Sequence, residues 1–211
     1  MPSASTIALF MIAALVVNIS PGPAILFILS QCMARGRRAA MVSVFGLATA
    51  SVIQAIAAAF GLATLFLYSP TAFAVVKYCG AAYLVYLGLR GFLAGGIAGV
   101  AAATKRRDVS LAGAYWQGVI TDLLNPKLLL FFFAFLPQFA DPAIGEPRSQ
   151  MLFLGLLFQV TAIPTNLVIA FVGGSVAHLL ARSPVWARAQ TWLSSAVLVG
   201  LGLRLAFSDR R

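Results

Sequence analysis

Long apolar runs dominate this chain, and short polar or charged tracts separate them. A helix needs about 20 apolar residues to cross roughly 30 Å of hydrocarbon. Six runs meet that length, and we predict transmembrane helices over about 6–32, 40–67, 71–94, 112–137, 150–174 and 189–208. No stretch alternates apolar and polar residues at the spacing of barrel strands. The pattern therefore predicts an all-α polytopic membrane protein.

The amino-acid composition also indicates a membrane protein. Hydrophobic residues make up 61% of the chain and charged residues only 9%, whereas soluble domains are about 45–50% apolar and about 25% charged. The 211 residues suffice for a single transmembrane domain, divided into about 5–94, a cytoplasmic loop at about 95–111, and about 112–209. The first apolar run extends beyond a signal-peptide core, so we interpret it as a retained helix.

The basic residues indicate how the chain is oriented. The net charge is +10, and most positive charges lie in short tracts after the first, third and fifth predicted helices. These tracts contain Arg35, Arg37, Arg38, Arg90, Lys105, Arg106, Arg107, Arg182 and Arg188. Lysine and arginine favour the cytoplasmic side, so we predict that these tracts face the cytoplasm and that both termini lie on the opposite, periplasmic side. Arg210 and Arg211 run against this assignment, and the pattern argues against nucleic-acid binding.

An internal repeat divides the chain into halves. Residues 84–90 and 198–204 match at six of seven positions, and residues 21–27 correspond to 126–132. Each half holds three predicted spans, and an odd number of spans inserts the second copy upside down. The sequence therefore predicts six transmembrane helices as two inverted three-helix repeats, an arrangement typical of secondary transporters.

Prolines interrupt the first and fourth predicted helices at equivalent places, within 18–23 and 122–127. A proline inside a helix removes a backbone donor and frees a carbonyl, which hydrocarbon tolerates only beside protein or a wet cavity. Paired breaks of this kind point to a transport site near the bilayer midplane. The positive N-terminal ends of the half-helices could hold a carboxylate. Backbone or ligand contacts are predicted for Asn18, Ser20 and Asn125.

Three charged residues lie within predicted spans: Lys77, Asp122 and Lys127. A charge at the bilayer centre costs about 3 kcal/mol or more, so such residues usually face a cavity. Asp122 is the only acid in a predicted span, and it is our candidate for binding a substrate ammonium and for carrying a proton. Two structural alternatives stay open. Asp122 and Lys127 could pair, although five residues separate them, and Lys77 could extend to the outer interface.

Three motifs resemble the LysE/RhtB family of amino-acid exporters. They are Ser20-Pro21-Gly22-Pro23 with the later tract 35–39, the segment from Lys77 to Gly88, and Asn125-Pro126-Lys127 with the segment 131–139. The resemblance implies a bacterial inner-membrane exporter that exchanges amino acids for protons. The positions it implies as functional are Pro21, Gly22, Pro23, Lys77, Asn125, Pro126 and Lys127.

We therefore hypothesise secondary-active export of amino acids or close derivatives, with the substrate, protons and the lipid bilayer as partners. A homo-oligomer is compatible with the sequence. No cofactor or metal is predicted, because Cys32 and Cys79 form no metal-binding spacing. Efflux of another small solute or cation is the alternative. A membrane-embedded enzyme would need several positioned acids or histidines, and the chain has five acidic residues and one histidine. A purely structural subunit would not account for buried charge.

Overall fold

The computed structural model describes residues 2–20, 22–68, 70–93 and 110–182, together with scattered helical positions between 192 and 207. Seven α-helices have defined bounds in these ranges: α1 (Ala4–Ile19), α2 (Pro23–Arg35), α3 (Arg37–Tyr68), α4 (Pro70–Leu93), α5 (Leu111–Leu123), α6 (Pro126–Leu130) and α7 (Pro147–Arg182). The chain continues from α6 through a π-helical stretch, Phe131–Phe135, and the 3-10 turns Leu136–Phe139 and Pro142–Ile144. Throughout the described residues the regular structure is helical.

Both predicted proline breaks are present. The axes of α1 and α2 meet at 47°, and those of α5 and Pro126–Phe139 meet at 51°. In each pair the second helix begins with proline at its first turn, Pro23 in α2 and Pro126 in α6. Proline suits that position because its missing N–H has no intrahelical partner there. Proline therefore marks the start of the second half-helix in both pairs.

The π-helical stretch has a local cause that the sequence analysis did not use. Pro137 has no N–H to donate to the carbonyl of Phe133, four residues earlier, and its ring clashes with that carbonyl. The backbone widens over Phe131–Phe135 and tightens over Leu136–Phe139. These turns direct several phenylalanine rings toward α1 and α7, where Phe10 and Phe158 pack with Phe131 at centroid distances of 5.8 and 5.2 Å.

The helices have the length and the surface of membrane spans. Arg37–Gly61 and Pro147–Gly173 are each long and apolar enough to cross a bilayer, with mean hydropathies of 1.8 and 1.9, and the two bent pairs raise the number to as many as four. Large apolar side chains are exposed on the outside, including Ile12, Leu124 and Val168. Exposed apolar surface of this kind is typical of helices that face lipid.

The six-span inverted repeat remains a prediction. Helix α4 matches the predicted third span, whereas most of the predicted sixth span, 189–208, and of the loop at about 95–111 lies outside the described residues. The predicted fifth span, about 150–174, agrees with the candidate membrane span Pro147–Gly173, and the helix that contains it, α7, continues to Arg182. Gly173 does not end the helix; it packs against α2, where a Cβ atom would lie 3.3 Å from Leu29 and 3.4 Å from Cys32.

Helices α3 and α5 approach most closely at two glycines. A Cβ atom built on Gly46 would meet the backbone carbonyl oxygen of Tyr115, and one built on Gly118 would meet that of Ser43. Small residues at a crossing let two membrane helices approach backbone to backbone. This contact holds α3 beside the break between α5 and α6.

We expect Gly46→Ala to destabilise the protein, because the added methyl group forces α3 and α5 apart. Overpacking of this kind costs about 1–3 kcal/mol, which thermal unfolding in detergent would report as a lower midpoint. Gly61→Ala on the same helix is the matched control, since a Cβ atom there meets nothing within 4 Å. Equal midpoints for the two variants would contradict the proposed close crossing.

Candidate functional site

The break between α5 and α6 is organised by Asn125. Its Oδ1 atom accepts a hydrogen bond from the backbone N–H of Lys127 at 3.2 Å, and its Nδ2 atom donates to Asp122 Oδ1 at 3.2 Å. The backbone carbonyl of Asn125 accepts from the amides of Leu128 and Leu129. The first amides of α6 thus already have acceptors, and this end of the site offers side chains rather than free backbone donors.

Asp122 is almost completely buried, with 1% of its surface exposed. Its Oδ2 atom accepts a hydrogen bond from Ser51 Oγ at 2.8 Å. Gln54, one turn further along α3, donates to the backbone carbonyl of Asp122 at 2.8 Å. The same carbonyl also accepts from the backbone N–H of Asn125 at 3.0 Å, so Gln54 adds a second donor at the end of α5. Ser51 was not among the predicted site residues, although its spacing from Gln54 on one face of an apolar helix was a usable signal.

The side chain of Lys127 extends from the α5–α6 break to the α1–α2 break. Its Nζ atom donates to the backbone carbonyls of Val17 at 3.0 Å and Ser20 at 2.7 Å, at the C-terminal end of α1. A cation is favourable there because the end of a helix carries partial negative charge and unpaired carbonyls. Gly22 leaves the necessary room, since a Cβ atom on it would lie 3.1 Å from Nζ. The two broken helices are therefore joined by one side chain.

The two buried charges attract each other but make no direct contact. Lys127 is 7% exposed, and within the described part of the chain its ammonium contacts backbone carbonyls, whereas Asp122 contacts Ser51 and Asn125. No direct ion pair joins Asp122 to Lys127, so the structural pairing considered from the sequence is not formed. Both charges retain bonding capacity, because an ammonium has three donors and a carboxylate about four acceptor positions.

A narrow cleft lies against these groups. Apolar residues of α2, α3, α6 and α7 form most of its lining, and its polar residues are Asn18, Ser51, Asp122, Asn125, Lys127 and Asn166. The cleft encloses about 410 Å³ when its open end is included. The part that admits a water-sized sphere holds only about one water molecule. An amino acid would enter only after the surrounding helices move apart.

The other predicted site residues have different positions. Asn18 lines the cleft and donates to Thr161 Oγ1 at 3.0 Å, which links α1 to α7. Ser20 is buried, and its Oγ atom has no hydrogen-bond partner among the described residues. Pro21 lies outside the described residues, and Lys77 lies on α4 with a side chain that is likewise outside them.

Metal-binding groups do not gather in the described ranges: no three His, Cys, Asp or Glu side chains there are placed to hold an ion. Cys32 is buried and Cys79 is exposed, and both are free thiols. Among the described residues that line the cleft, the polar side chains carry one carboxylate, one ammonium, one hydroxyl group and three amides.

Comparisons with known proteins place this geometry in context. The model of the LysE type translocator family matches residues 15–209. The chain is 29% identical to an uncharacterised membrane protein of Pseudomonas aeruginosa over 93% of each chain. It is 26% identical to a leucine efflux protein of Salmonella typhimurium, over 93% of this chain and 92% of that one. It is 31% identical to a homoserine/homoserine lactone efflux protein of the same species, over 76% and 74%. No solved structure matches the chain.

Proposed function

Because the chain belongs to the LysE type translocator family, we propose that it exports an amino acid or a close derivative across the bacterial inner membrane, in exchange for protons. Two of its relatives carry the names of efflux proteins, for leucine and for homoserine and its lactone. Efflux of a small solute is the function common to those names. The finer parts of the proposal rest on the chemistry of the cleft.

The observation that carries the proposal is a buried carboxylate and a buried ammonium that face one cleft without pairing. An amino acid at neutral pH is a zwitterion, so its own ammonium and carboxylate complement these two charges. We assign the substrate ammonium to Asp122 and the substrate carboxylate to the third donor of Lys127. Because a zwitterion has no net charge, its binding leaves the net charge of the buried site unchanged. This limits the free-energy cost of burying the substrate.

The α2 helix adds a second contact for the carboxylate. Its N-cap residue, Gly22, supplies no side-chain hydrogen bond, and Pro23 has no N–H. The next residue, Ala24, lines the cleft, at the positive end of the helix dipole. The N-terminus of α2 therefore complements Lys127, whereas the corresponding amides of α6 are already bonded.

We assign the exchanged proton to Asp122, the acid that faces the cleft among the described residues. A carboxyl group can hold either the substrate ammonium or a proton, and this competition couples the release of one to the binding of the other. The breaks at α1–α2 and α5–α6 are the natural hinges, because few backbone hydrogen bonds cross them. In this proposal the junction of α2 and α3, with Arg35, Arg37 and Arg38, faces the cytoplasm. Both termini of the chain face the periplasm.

Counterflow in proteoliposomes tests the proposal. The purified full-length protein is reconstituted, vesicles are loaded with one unlabelled amino acid at a time, and uptake of the labelled compound is followed. We expect at least one amino acid to exchange well above protein-free vesicles, and a pH gradient to accelerate its movement against the direction of proton flow. If no amino acid moves under any gradient, although the reconstituted protein is folded, the proposed function is wrong.

A further inference from the structure

We propose that the substrate has an uncharged side chain, aliphatic or hydroxylated, and that the apolar wall of the cleft selects it. This inference rests on the proposed function and narrows it, because the fold and the two charges alone do not distinguish a neutral amino acid from a basic or an acidic one. The selection follows from what faces the substrate beyond its α-carbon.

The described residues of the cleft offer no further charge that could neutralise a charged side chain of the substrate. Among the described residues that line it, Asp122 and Lys127 are the charged ones, and the α-ammonium and α-carboxylate of the substrate occupy both. A lysine side chain would need a second carboxylate, and a glutamate side chain would need a second cation. Without such a partner the extra charge is buried unpaired, which opposes binding strongly.

The apolar wall comes from two helix faces. From α3 it takes Val44, Leu47 and Ala48, and from α7 it takes Phe158, Ala162 and Ile163. The α3 residues and Ser51 are spaced three and four apart, so they form one stripe along the helix. That stripe starts at Ser51, which bonds Asp122, and reaches Val44 about 10 Å away. A substrate held at Asp122 therefore extends its side chain along apolar surface.

One neutral polar group lies among this apolar surface. Asn166 on α7 also lines the cleft. Helices α3 and α7 run antiparallel, since Ala55 packs against Gly155 and Val44 clusters with Ala170. Asn166 is therefore level with the Val44–Leu47 part of the stripe. Its amide can donate to or accept from a hydroxyl group, which allows a hydroxylated side chain as well as an aliphatic one.

A counterflow panel of leucine, homoserine, lysine and glutamate tests this inference on the wild-type protein. We expect leucine or homoserine to exchange at least about 100-fold faster than lysine and glutamate, since an unpaired buried charge costs that much in binding. Exchange of lysine or glutamate at the rate of the neutral compounds would overturn the inference and leave the proposed function standing. Failure of every amino acid would overturn both.

A designed carboxylate provides the second test. Ala48→Asp places an acid in the apolar wall, and we expect it to raise the lysine-to-leucine exchange ratio at least about tenfold. Ala48→Asn is the matched control, because it adds the same volume without charge and should leave lysine at background. Ala162→Asp on the facing helix serves if Ala48→Asp does not fold. An unchanged ratio in a folded acidic variant would contradict the role of the wall.

Discussion

Replacing Asp122 with asparagine is expected to abolish amino-acid exchange while leaving the protein folded. The amide has the shape of the carboxylate. Its oxygen can accept from Asn125 Nδ2, and its NH2 group can donate to Ser51 Oγ, whose own hydrogen can point to the carbonyl of Leu47. The break between α5 and α6 therefore keeps its geometry. The substrate ammonium, however, loses its charged partner in a buried site. Loss of one partner of a buried ion pair costs about 3–5 kcal/mol, which lowers the initial counterflow rate about 100-fold or more.

Asp141→Asn is the matched control for this variant. Asp141 also accepts a backbone hydrogen bond, from Ala143 at 2.8 Å, but it lies in the connection before α7, and it does not line the cleft. We expect its exchange rate and unfolding midpoint to equal those of the wild type. If the Asp122→Asn protein exchanged amino acids at the wild-type rate, Asp122 would not be part of the substrate site. If the variant still exchanges amino acids but no longer responds to a pH gradient, Asp122 carries the exchanged proton and does not bind the substrate ammonium.

Much of the fold follows from apolar length and from proline. The predicted second and third spans, 40–67 and 71–94, agree within three residues with α3 and α4. Arginines precede the second run, and Pro70 separates it from the third. The breaks near Gly22 and Asn125 were predicted for the same local reason. The π-helical stretch was not predicted, because the local effect of Pro137 was not used, and α7 continues to Arg182, beyond the predicted span.

The site was predictable only in part. Paired breaks and buried charge pointed to Asn18, Asp122, Asn125 and Lys127, which the structure brings to one cleft; their roles in transport stay predictions. The partners of Lys127 could not be predicted, because its carbonyl acceptors lie 107 and 110 residues away in the chain. A proline break shows that carbonyls are freed, and it does not show which distant side chain satisfies them.

The position of Lys127 gives it two separable roles. Its bonds to Val17 and Ser20 stabilise the end of α1, and its remaining donor faces the cleft in our proposal. Asp122, by contrast, is held by Ser51 and Asn125 without contacting α1. Stability and transport should therefore respond differently to loss of the two charges, and this difference separates a purely structural lysine from one that also binds substrate.

Lys127→Met is expected to lower both stability and transport. Methionine keeps much of the apolar length of lysine, but it leaves two buried carbonyls without donors, and each such loss costs about 1–3 kcal/mol. We expect a clearly lower unfolding midpoint in detergent than for Asp122→Asn, together with loss of counterflow. Arg38→Met is the control, because Arg38 is an exposed cation whose loss should leave the midpoint unchanged. A Lys127→Met protein with wild-type stability would contradict the bridge between the two breaks. Wild-type exchange at temperatures where it remains folded would restrict Lys127 to a structural role.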